Sequence, residues 1–361
     1  MDKTTNLDIL VVYSSSLATS ASVSDSESKH PFHLDSRQAN YNESYSYFLD
    51  VCKSFDLNAG LTTSSDVIGP GTCDNYWTAT DGQWSKIDNR AKSTQIFDKI
   101  SPTSDVRTDE RSLLLSSENI QPFNDPYLHA LFFDKLKTHK DLPTYAIPTV
   151  GVRSDNLKDI TQSIEKLAKL IAKHPSPADF GSTLILKDRF GAGGNHVYLI
   201  SDRFASSIRK LMKQNPEIQF VLQPFLQFDK GFAYQKNQTA TDIRIIINNG
   251  KILQSYLRMA KANDFRCNEH QGGELVYVGE KDFPESVHLA ASNIIKRINR
   301  PSSLYALDFA VSNSGTVYLM EGNIGPGLDW DATKATNTRM GKQLITSIVS
   351  ELAERVSTQR S

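Results

Sequence analysis

The sequence predicts an α+β protein with more than one domain. Its 361 residues exceed the usual size of one domain, so two or three domains are expected. Strand-like runs are joined by turns typical of antiparallel hairpins at Asp81-Gly82, Asn249-Gly250 and Asn313-Ser314-Gly315. Amphipathic helical patterns, such as the one over residues 159–174, lie between the strands, and helices of this kind mostly cover a sheet.

The N-terminal part of the chain is expected to form an α/β domain that opens with a buried strand over residues 7–13. Residues 14–36 are rich in serine and contain few apolar side chains, so a mobile loop is predicted there. Over residues 37–55, aromatic residues recur at helical spacing and are interpreted as a core-facing stripe. Further short strands are predicted over residues 93–100 and 111–115.

The remainder of the chain continues the mixture of helices and strands. Helices are predicted over residues 126–142, 159–174, 204–212, 287–298 and 340–352. Pairs of strands are predicted within residues 183–200, 242–258 and 304–327, and a single strand over 218–226 ends at a hinge that contains Pro224. Residues 261–273 are polar and are interpreted as a flexible segment.

Composition and charge argue against several classes of protein. Hydrophobic residues make up 39% and charged residues 22% of the chain, which is typical of a soluble globular protein. The formal net charge of −1 argues against broad binding to nucleic acid or to anionic membranes. No apolar run approaches transmembrane length and the N-terminus does not resemble a signal peptide, so a cytoplasmic protein is expected. The 3 cysteines are widely spaced, which predicts neither a disulfide framework nor a zinc site.

The hairpin over residues 304–327 carries polar groups where buried apolar residues are expected. If Ser314-Gly315 are the two central turn residues, Asp308 lies directly opposite Glu321, and Asn323 points to the same face as Glu321. Two carboxylates and an amide oxygen form an oxygen-only site that suits Mg²⁺. Strand ends whose polar side chains simply reach water would explain this spacing equally well.

A second informative stretch consists of a strand, a glycine-rich loop and another strand. Lys187 closes the first strand, and the loop contains Gly191, Gly193 and Gly194. The P-loop pattern is absent, because no Gly-Lys-Ser/Thr follows and the loop leads to a strand. The backbone N–H groups of such a loop can bind phosphate oxygens, with Lys187 as the point charge. A plain glycine hairpin would account for the loop as well.

Taken in order, these residues resemble the ATP-grasp superfamily and, within it, the RimK-type glutamate ligases, with glutathione synthetases as cousins. The resemblance runs from Asp134-Lys135 to Asp329 and covers a little over half of the chain. Its ordered segments are Lys187 with the glycine loop, the hinge after Val221-Leu-Gln223, Asp242-Ile-Arg244, Arg258-Met-Ala-Lys261, Asp264-Phe-Arg-Cys-Asn268 with Gly272-Gly273, Asp308, and Glu321-Gly-Asn323 with Pro326-Gly327.

The resemblance implies an α+β ATP-grasp fold with three parts. These are an N-terminal α/β (pre-ATP-grasp) domain over residues 1–125, a central lid subdomain over 126–222 and a C-terminal subdomain over 223–361 that carries the metal site. The last two would sandwich the nucleotide. Three features depart from the family pattern: His196 stands where a glycine is usual, Gly322 replaces a branched apolar residue, and an insertion occupies residues 228–241.

The resemblance also implies ATP-dependent joining of a carboxylate to an amine through an acyl-phosphate, with release of ADP and phosphate. Asp308, Glu321 and Asn323 would hold one or two Mg²⁺ ions, for which Mn²⁺ could substitute. Arg258 and Arg266 would stabilise charge on the transferring phosphoryl group and on the tetrahedral adduct, a role suited to a permanently charged, bidentate group.

The remaining implied contacts are to the nucleotide. Phosphates would be bound by Lys135, Lys187, Gly191, Gly193 and Gly194, and Asn268 would add an oxygen contact to the phosphate-bound metal. The hinge backbone of Gln223, Pro224, Phe225 and Leu226 would face adenine, with Asp242 near the ribose.

The expected substrates are a small-molecule or peptide carboxylate and an amine or amino-acid co-substrate. Two other functions stay open: a phosphotransferase acting on a hydroxyl group, and a nucleotide-binding protein without catalysis. The joint presence of Asp308, Glu321, Asn323 and Arg258 argues against the last. Neither nucleic acid nor a membrane is expected as a partner, and a homodimer is the default expectation because it is the commonest soluble assembly.

Overall fold

The structure is a computed structural model that describes residues 4–24, 28–100, 105–191, 193–235, 239–261, 264–267, 272–300 and 302–360. The chain divides into two compact units. The first unit comprises residues 1–125, 302–304 and 325–361, and the second comprises residues 126–301 and 305–324. Residues 325–361 therefore group with the N-terminal unit, whereas the expected C-terminal subdomain ran to residue 361. The division into three functional domains stays a prediction.

The strands within the described ranges, numbered along the chain, are β1 (Thr5–Asn6), β2 (Ile9–Tyr13), β3 (Ala59–Thr63), β4 (Val67–Gly69), β5 (Thr72–Cys73), β6 (Tyr76–Thr80), β7 (Gln83–Ile87), β8 (Ala91–Lys92), β9 (Gln95–Lys99), β10 (Gln121–Pro122), β11 (Val150–Gly151), β12 (Phe180–Asp188), β13 (Val197–Ile200), β14 (Phe220–Leu226), β15 (Thr241–Asn248), β16 (Lys251–Met259), β17 (Glu274–Val278), β18 (Leu304–Val311) and β19 (Val317–Asn323). The α-helices are α1 (Tyr41–Ser54), α2 (Asp105–Leu114), α3 (Pro126–Phe133), α4 (Lys135–Asp141), α5 (Leu157–Ala172), α6 (Phe204–Gln214), α7 (Glu285–Ile298) and α8 (Ala335–Arg360).

The first unit is built on a six-stranded sheet with the order β10-β9-β2-β3-β6-β7. Strand β2 pairs in parallel with β3 on one side and with β9 on the other, so Tyr13 lies beside both Thr63 and Lys99 at their carboxyl ends. The β6–β7 hairpin turns at Asp81-Gly82, both with positive φ, as the sequence predicts. A smaller sheet has the order β1-β8-β5-β4.

Helix α1 confirms the predicted aromatic stripe. Tyr45 and Phe48 are fully buried, and the Phe48 ring stacks on Phe97 of β9 with centroids 5.3 Å apart. Burying rings of this size is among the largest favourable contributions to a core of this kind.

Two expectations for local structure are wrong. Residues 111–115 form no strand: residues 111–114 are the end of helix α2, and Leu114 is buried while Leu113 is exposed, as expected for one face of a helix. Residues 126–142 form two helices, because Asp134 is extended and caps α4 by accepting a hydrogen bond from Leu136 N at 2.9 Å. The strand predicted over residues 218–226 is present as β14, which spans Phe220–Leu226.

The segment over residues 14–36 packs on the first unit, in contrast to the predicted mobile loop; its residues 25–27 lie outside the described ranges. Phe32 is fully buried, and Trp77 Nε1 donates to the carbonyl of Thr19 at 2.9 Å. Hydroxyl groups supply many further bonds, for example from Ser20 to Asp66 at 2.7 Å. The serine content that suggested mobility therefore provides local hydrogen bonds instead.

The second unit contains two sheets. A four-stranded sheet has the order β11-β14-β12-β13, and helices α5 and α6 cover it through buried residues such as Ile160, Leu167 and Ile208. A five-stranded sheet has the order β17-β16-β15-β18-β19 and packs against α3 and α7. The β15–β16 turn at Asn249-Gly250 has positive φ at both residues, as predicted.

Two general expectations can also be compared with the structure. Cys52, Cys73 and Cys267 are free and buried, in agreement with the prediction of no disulfide framework. Of the helices in the described ranges, none combines the length and apolar character needed to cross a bilayer.

Candidate active site

A cleft in the second unit is lined by residues of both sheets. The four-stranded sheet and its loop contribute Ile185, Lys187, Asp188, Gly191, Gly194, Val197, Gln223, Pro224, Phe225 and Leu226. The five-stranded sheet and its flanking segments contribute Asp242, Arg258, Arg266, Asp308, Met320 and Glu321, and Lys135 enters from α4. Predicted residues separated by nearly two hundred positions thus meet in one cleft.

The β18–β19 hairpin has the predicted register at its polar end. Asp308 pairs with Glu321, and Ala306 pairs with Asn323. The loop, however, is three residues long: Ser312 N donates to Thr316 O at 2.8 Å, and Gly315 has a φ of 91°. A register shift between Asp308 and Phe309 then adds one residue on β19 and restores the Asp308–Glu321 pair.

Asp308 is held by two arginines. Arg244 donates to it in a bidentate manner, with Nε–Oδ1 and NH2–Oδ2 distances of 2.6 Å each. Arg258 NH2 donates to Asp308 Oδ2 at 2.7 Å and binds Asp242 with Nε–Oδ1 at 2.7 Å. Asp242, Arg258 and Asp308 are buried and Arg244 is half-buried. Together they form a charge-balanced network, because each carboxylate faces at least one guanidinium group.

The network fixes the charge states of its members. Burial by itself raises the pKa of a carboxyl group, but the guanidinium groups of Arg244 and Arg258 hold the pKa of Asp308 at about 2. Burial raises the pKa of Asp242, against the opposing effect of Arg258. Asp308 is therefore an anion over the whole physiological range.

The predicted magnesium ligands differ in how many hydrogen bonds their side-chain oxygens already accept. Three of the four lone-pair positions on the Asp308 carboxylate accept N–H groups, which leaves one on Oδ1. Glu321 lines the cleft, and its side-chain carboxylate accepts no hydrogen bond from the residues that the structure describes. Asn323 lies two positions further along β19, on the same side as Glu321. An oxygen-only donor set of this kind fits Mg²⁺, with Glu321 as the most available ligand.

Lys187 lies on β12 and faces the cleft, where burial and the nearby Lys135 ammonium lower its pKa to about 8, against the opposing effect of Glu321. Lys135 donates to the carbonyl of Gly191 and so contacts the glycine loop directly. Neither ammonium group forms a direct ion pair with a carboxylate among the described residues. A polyphosphate would supply the missing anionic partner.

The glycine loop is tied to α4 by an ion pair that the sequence did not reveal. Arg189 binds the capping residue Asp134 with Nε–Oδ1 at 2.7 Å and NH2–Oδ2 at 2.5 Å. Gly193 and Gly194 have φ values of 68° and 78°, a conformation that favours glycine, and residue 192 between Gly191 and Gly193 lies outside the described ranges. Gly191 has no room for a side chain, since a Cβ would lie 2.8 Å from Asp188.

The predicted hinge residues form the end of β14. Gln223 is buried and its Nε2 donates to Thr149 Oγ1 at 2.7 Å, and all four hinge residues line the cleft. Pro224 lies beyond the two residues at which β11 pairs with β14, where its missing N–H is not needed for that pairing.

The last predicted contacts lie between β16 and β17. Arg266 lines the cleft and pairs with Asp264, NH2–Oδ2 at 3.0 Å, with its side chain 39% exposed. The hydrogen bond from Arg266 lowers the pKa of Asp264 to about 2. Asn268 lies outside the described residues.

Comparison with known proteins assigns the family. Residues 133–348 match the RimK-like ATP-grasp domain. The chain belongs to the RimK-like ATP-grasp family. Proteins of the ATP-grasp family generally use ATP with Mg²⁺. The matched region contains every residue of the cleft, whereas the first 132 residues lie outside it.

Curated relatives of this ATP-grasp protein are named probable alpha-L-glutamate ligases. The one from Maridesulfovibrio salexigens is 28% identical over 213 residues, which cover 59% of this chain and 62% of the relative. The one from Legionella pneumophila strain Paris is 29% identical over 166 residues, which cover 46% of this chain and 49% of the relative. The chain thus spans less than two thirds of either relative.

Solved ATP-grasp structures share the fold over nearly the whole chain. D-cycloserine synthetase DcsG has a TM-score of 0.60 at 10% identity and covers 96% of this chain and 99% of its own. D-alanyl-alanine synthetase A from Vibrio cholerae has a TM-score of 0.59 at 13% identity, and the match covers 98% of this chain and 99% of the synthetase. The ATP-grasp ligase PsnB, in a complex with Mg and ADP, has a TM-score of 0.54 at 9% identity, with 96% and 99% covered.

Two departures from the ATP-grasp pattern have a structural explanation. His196 has a φ of 50°, so it adopts the backbone conformation that a glycine would favour, and its Nδ1 lies 3.1 Å from Tyr198 Oη. At Gly322, a Cβ would lie only 2.0 Å from the Phe132 ring of α3. The ring therefore occupies the space that a side chain at position 322 would need.

Arg244 is the principal site residue that sequence reasoning missed. It stands within the Asp242-Ile-Arg244 segment, but its contact with Asp308 spans 64 positions and depends on β15 lying beside β18. The only available signal was a cation at a strand position otherwise surrounded by isoleucines. Asp134 was noted, but its pairing with Arg189 across 55 positions was not.

Proposed function

We propose that this protein is an ATP-dependent carboxylate–amine ligase that forms an amide bond through an acyl-phosphate and releases ADP and phosphate. The observation that carries the proposal is the convergence of cations, a glycine loop and the carboxylates of Asp308 and Glu321 on one cleft. A carboxylate attacking the γ-phosphate brings two anions together, so such chemistry needs cations that hold both in line.

The nucleotide phosphates would be bound by Lys187, Lys135 and the N–H groups of the glycine loop. Lys187 and Lys135 lack a carboxylate partner of their own in direct contact within the described residues, and this supports a polyanionic ligand. The backbone of Gln223–Leu226 would face adenine at the same cleft. Asp242 is bound by Arg258, so its proposed contact with the ribose would use the lone pairs that Arg258 leaves available.

Glu321, Asn323 and the remaining lone pair of Asp308 Oδ1 would hold Mg²⁺. The ion would neutralise charge on the β- and γ-phosphates. Arg244 keeps Asp308 ionised and oriented, which is the condition for a carboxylate ligand.

The chain's own residues would then support two transfers. In the first, a substrate carboxylate oxygen forms a bond to the γ-phosphorus while the bond to the ADP oxygen breaks. In the second, an amine nitrogen attacks the acyl carbon, phosphate departs, and the nitrogen loses a proton to solvent. Arg258 and Arg266 would stabilise the negative charge that develops on the phosphoryl group and on the tetrahedral adduct.

The substrates are proposed to be a small-molecule or peptide carboxylate and an amino acid. The names of the glutamate-ligase relatives support an amino-acid co-substrate. We further propose cytoplasmic activity and a homodimer, in line with the free cysteines and with the commonest soluble assembly.

A screen of carboxylates against amino acids, read as ATP-dependent phosphate release and followed by mass analysis, tests this function. The expected product has gained the mass of the amino acid less one water. Glu321→Ala should abolish phosphate release while retaining the fold, measured by circular dichroism. A product that instead carries the phosphoryl group would replace the ligase with the phosphotransferase alternative.

A further inference from the structure

We propose that the first unit contains a recognition site for an α-amino acid, in which Lys99 binds the carboxylate and Asp329 binds the ammonium group. The proposal rests on the proposed ligase function, because it assigns the binding site of the amino-acid substrate. The family match includes Pro326 and Asp329 but not the first 132 residues, which supply Lys99 and the tyrosines of the site, so the site is argued from its own contacts.

The site lies where open α/β sheets usually bind ligands. The chain passes from β2 to its neighbour β3 on one side and later returns to β9 on the other side of β2. Because these three strands are parallel, the order reverses between β2 and β9, and a crevice is expected outside their carboxyl ends. Tyr13 and Lys99 are the last residues of these strands and lie directly beside each other.

Lys99 is the cation at this crevice. It is half-buried, and its ammonium donates to the carbonyl of Pro326 at 2.8 Å. The other two N–H donors have no hydrogen-bond acceptor among the described residues, which is costly for an enclosed ammonium group. Burial lowers the pKa of Lys99 to about 8, against the opposing effects of Asp329 and Asp98. A carboxylate would satisfy the two donors and the charge.

Asp329 supplies the opposite charge. It is exposed, and its carboxylate is close enough to raise the pKa values of Tyr13, Tyr41 and Tyr45, for which burial is the larger cause. Asp329 influences Lys99 electrostatically, yet these two described side chains form no direct ion pair. A cation and an anion held near each other without contact leave room for a ligand that carries both charges.

Aromatic rings form one wall of the site. Tyr13 packs edge-on against Phe32 with centroids 5.0 Å apart and lies 5.7 Å from the Tyr41 ring. Tyr41 is half-buried and can present its ring to an ammonium group, an interaction that favours cations over neutral amines. Tyr45 is fully buried and packs against Phe32 with centroids 5.7 Å apart, which holds this wall in place.

The pairing of a cation, Lys99, with an anion, Asp329, favours a dipolar ligand over a simple ion. A lone anion would be repelled by Asp329, and a lone cation by Lys99. A Cβ at Gly327 would lie 2.7 Å from Asp329 Oδ1 and 3.4 Å from Tyr41 Oη, so a glycine keeps this edge open. The carbonyl that Lys99 holds belongs to Pro326, three positions after the proposed metal ligand Asn323. This segment therefore connects the two proposed sites along the chain.

Binding measurements on the full chain test the proposal. The standard amino acids are screened by ligand-detected NMR, and the best binder is compared by calorimetry with its N-acetyl and α-amide derivatives. The wild type is expected to bind each derivative about 10- to 100-fold more weakly. Lys99→Met should no longer discriminate against the amide, and Asp329→Asn should no longer discriminate against the N-acetyl form. Both variants should bind ATP with unchanged affinity.

Lys92→Met, at an exposed lysine of β8, is the matched control and should bind all ligands as the wild type does. Three results would overturn the proposal: no binding of any standard amino acid at millimolar concentration, variants that bind like the wild type, or an equal loss for all three ligands together with a lowered melting temperature. If ATP-dependent phosphate release persists under the first result, this site fails while the ligase function stands. If no phosphate is released with any carboxylate, the ligase function fails.

Discussion

The two units each place a half-buried lysine near the carboxyl end of a strand, and in both cases burial lowers the pKa of the lysine to about 8. Their surroundings differ. Among the charges that act on Lys187, a second cation, Lys135, has the largest effect on its pKa, followed by the carboxylate of Glu321. Lys99 is flanked by the carboxylates of Asp329 and Asp98 and donates to a carbonyl group.

The comparison shows that the neighbouring charges, rather than the lysine itself, determine which ligand fits. Two neighbouring ammonium groups without a carboxylate in direct contact favour a polyanion such as a nucleoside triphosphate. A cation beside an uncommitted carboxylate favours a molecule with both charges. The proposed roles of the two units, nucleotide activation and amino-acid recognition, follow from this difference.

The largest expected effect is a difference in stability between variants of Asp308 and Glu321, which lie opposite each other on β18 and β19. Asp308→Asn should lower the free energy of unfolding by about 3–5 kcal/mol, because Arg244 and Arg258 would lose a buried partner. Glu321→Gln should change it by less than about 0.5 kcal/mol, since Glu321 makes no such pair. Urea unfolding measures both values. If both variants lost the same free energy of unfolding, Glu321 would be a structural residue like Asp308 and would not be available as a metal ligand.

A second expected effect concerns ATP, which should depend on Lys187 but not on Lys99. Lys187→Met should lower kcat/KM for ATP by about 10²–10³-fold, because a positioned charge on the phosphates is lost. Lys99→Met should leave ATP affinity unchanged. Isothermal calorimetry with ATP and Mg²⁺ measures the affinities, and Lys158→Met, at an exposed lysine of α5, is the control. A weaker affinity for ATP in Lys99→Met, or an unchanged kcat/KM for ATP in Lys187→Met, would contradict the proposal that only Lys187 binds the nucleotide.

A third, smaller effect concerns the packing beneath Glu321. Gly322→Val should destabilise the second unit by about 1–3 kcal/mol, because its side chain would overlap the Phe132 ring. Adding Phe132→Ala should recover part of that loss, whereas Phe132→Ala alone should be destabilising through the cavity it leaves. Additive losses in the double variant, measured by urea unfolding, would show that the two positions are not coupled.

The smallest effect is in proton linkage. At a pH of about 8 Lys187 is half-protonated, and bound phosphates favour its charged form, so ATP binding should take up about half a proton. Lys187→Arg should remove this uptake and Lys99→Arg should not. Calorimetry in buffers of different ionisation enthalpy measures it. Uptake unaffected by Lys187→Arg would assign the proton to another group.

The same lysines affect stability with a defined sign. An unfolded lysine titrates near pH 10.4, so between about pH 8 and 10.4 the unfolded chain binds protons that the folded protein has released. Each lysine therefore makes the free energy of unfolding increase with pH in that window. Replacing either with methionine should flatten the increase.

Much of the second unit could be predicted because its signals are local. The glycine loop, the Asn249-Gly250 turn and the spacing of Glu321 and Asn323 each lie within a short stretch, and the structure confirms the Asp308–Glu321 pair. That pair was right for a partly wrong reason, since a longer loop and a register shift compensate each other. The metal and nucleotide roles of these residues stay predictions.

The features that sequence reasoning missed depend on contacts between distant segments. Arg244 reaches Asp308, Arg189 reaches Asp134, and Lys99 reaches Pro326 only when strands far apart in the chain are neighbours. A single sequence carries no periodicity that marks such pairs. The break at Asp134 was overlooked because apolar spacing continues across it, and only the capping hydrogen bond reveals two helices.

The most direct test of the proposed ligase is the origin of the oxygen atoms in the released phosphate. The reaction is run in water enriched in ¹⁸O with the active pair of carboxylate and amino acid, and the phosphate is analysed by mass spectrometry. If a substrate carboxylate attacks the γ-phosphate, the phosphate released by the wild type carries no ¹⁸O. The Glu321→Ala variant should release no phosphate. Phosphate that contains one ¹⁸O atom would show that water attacks ATP, which would contradict the acyl-phosphate route.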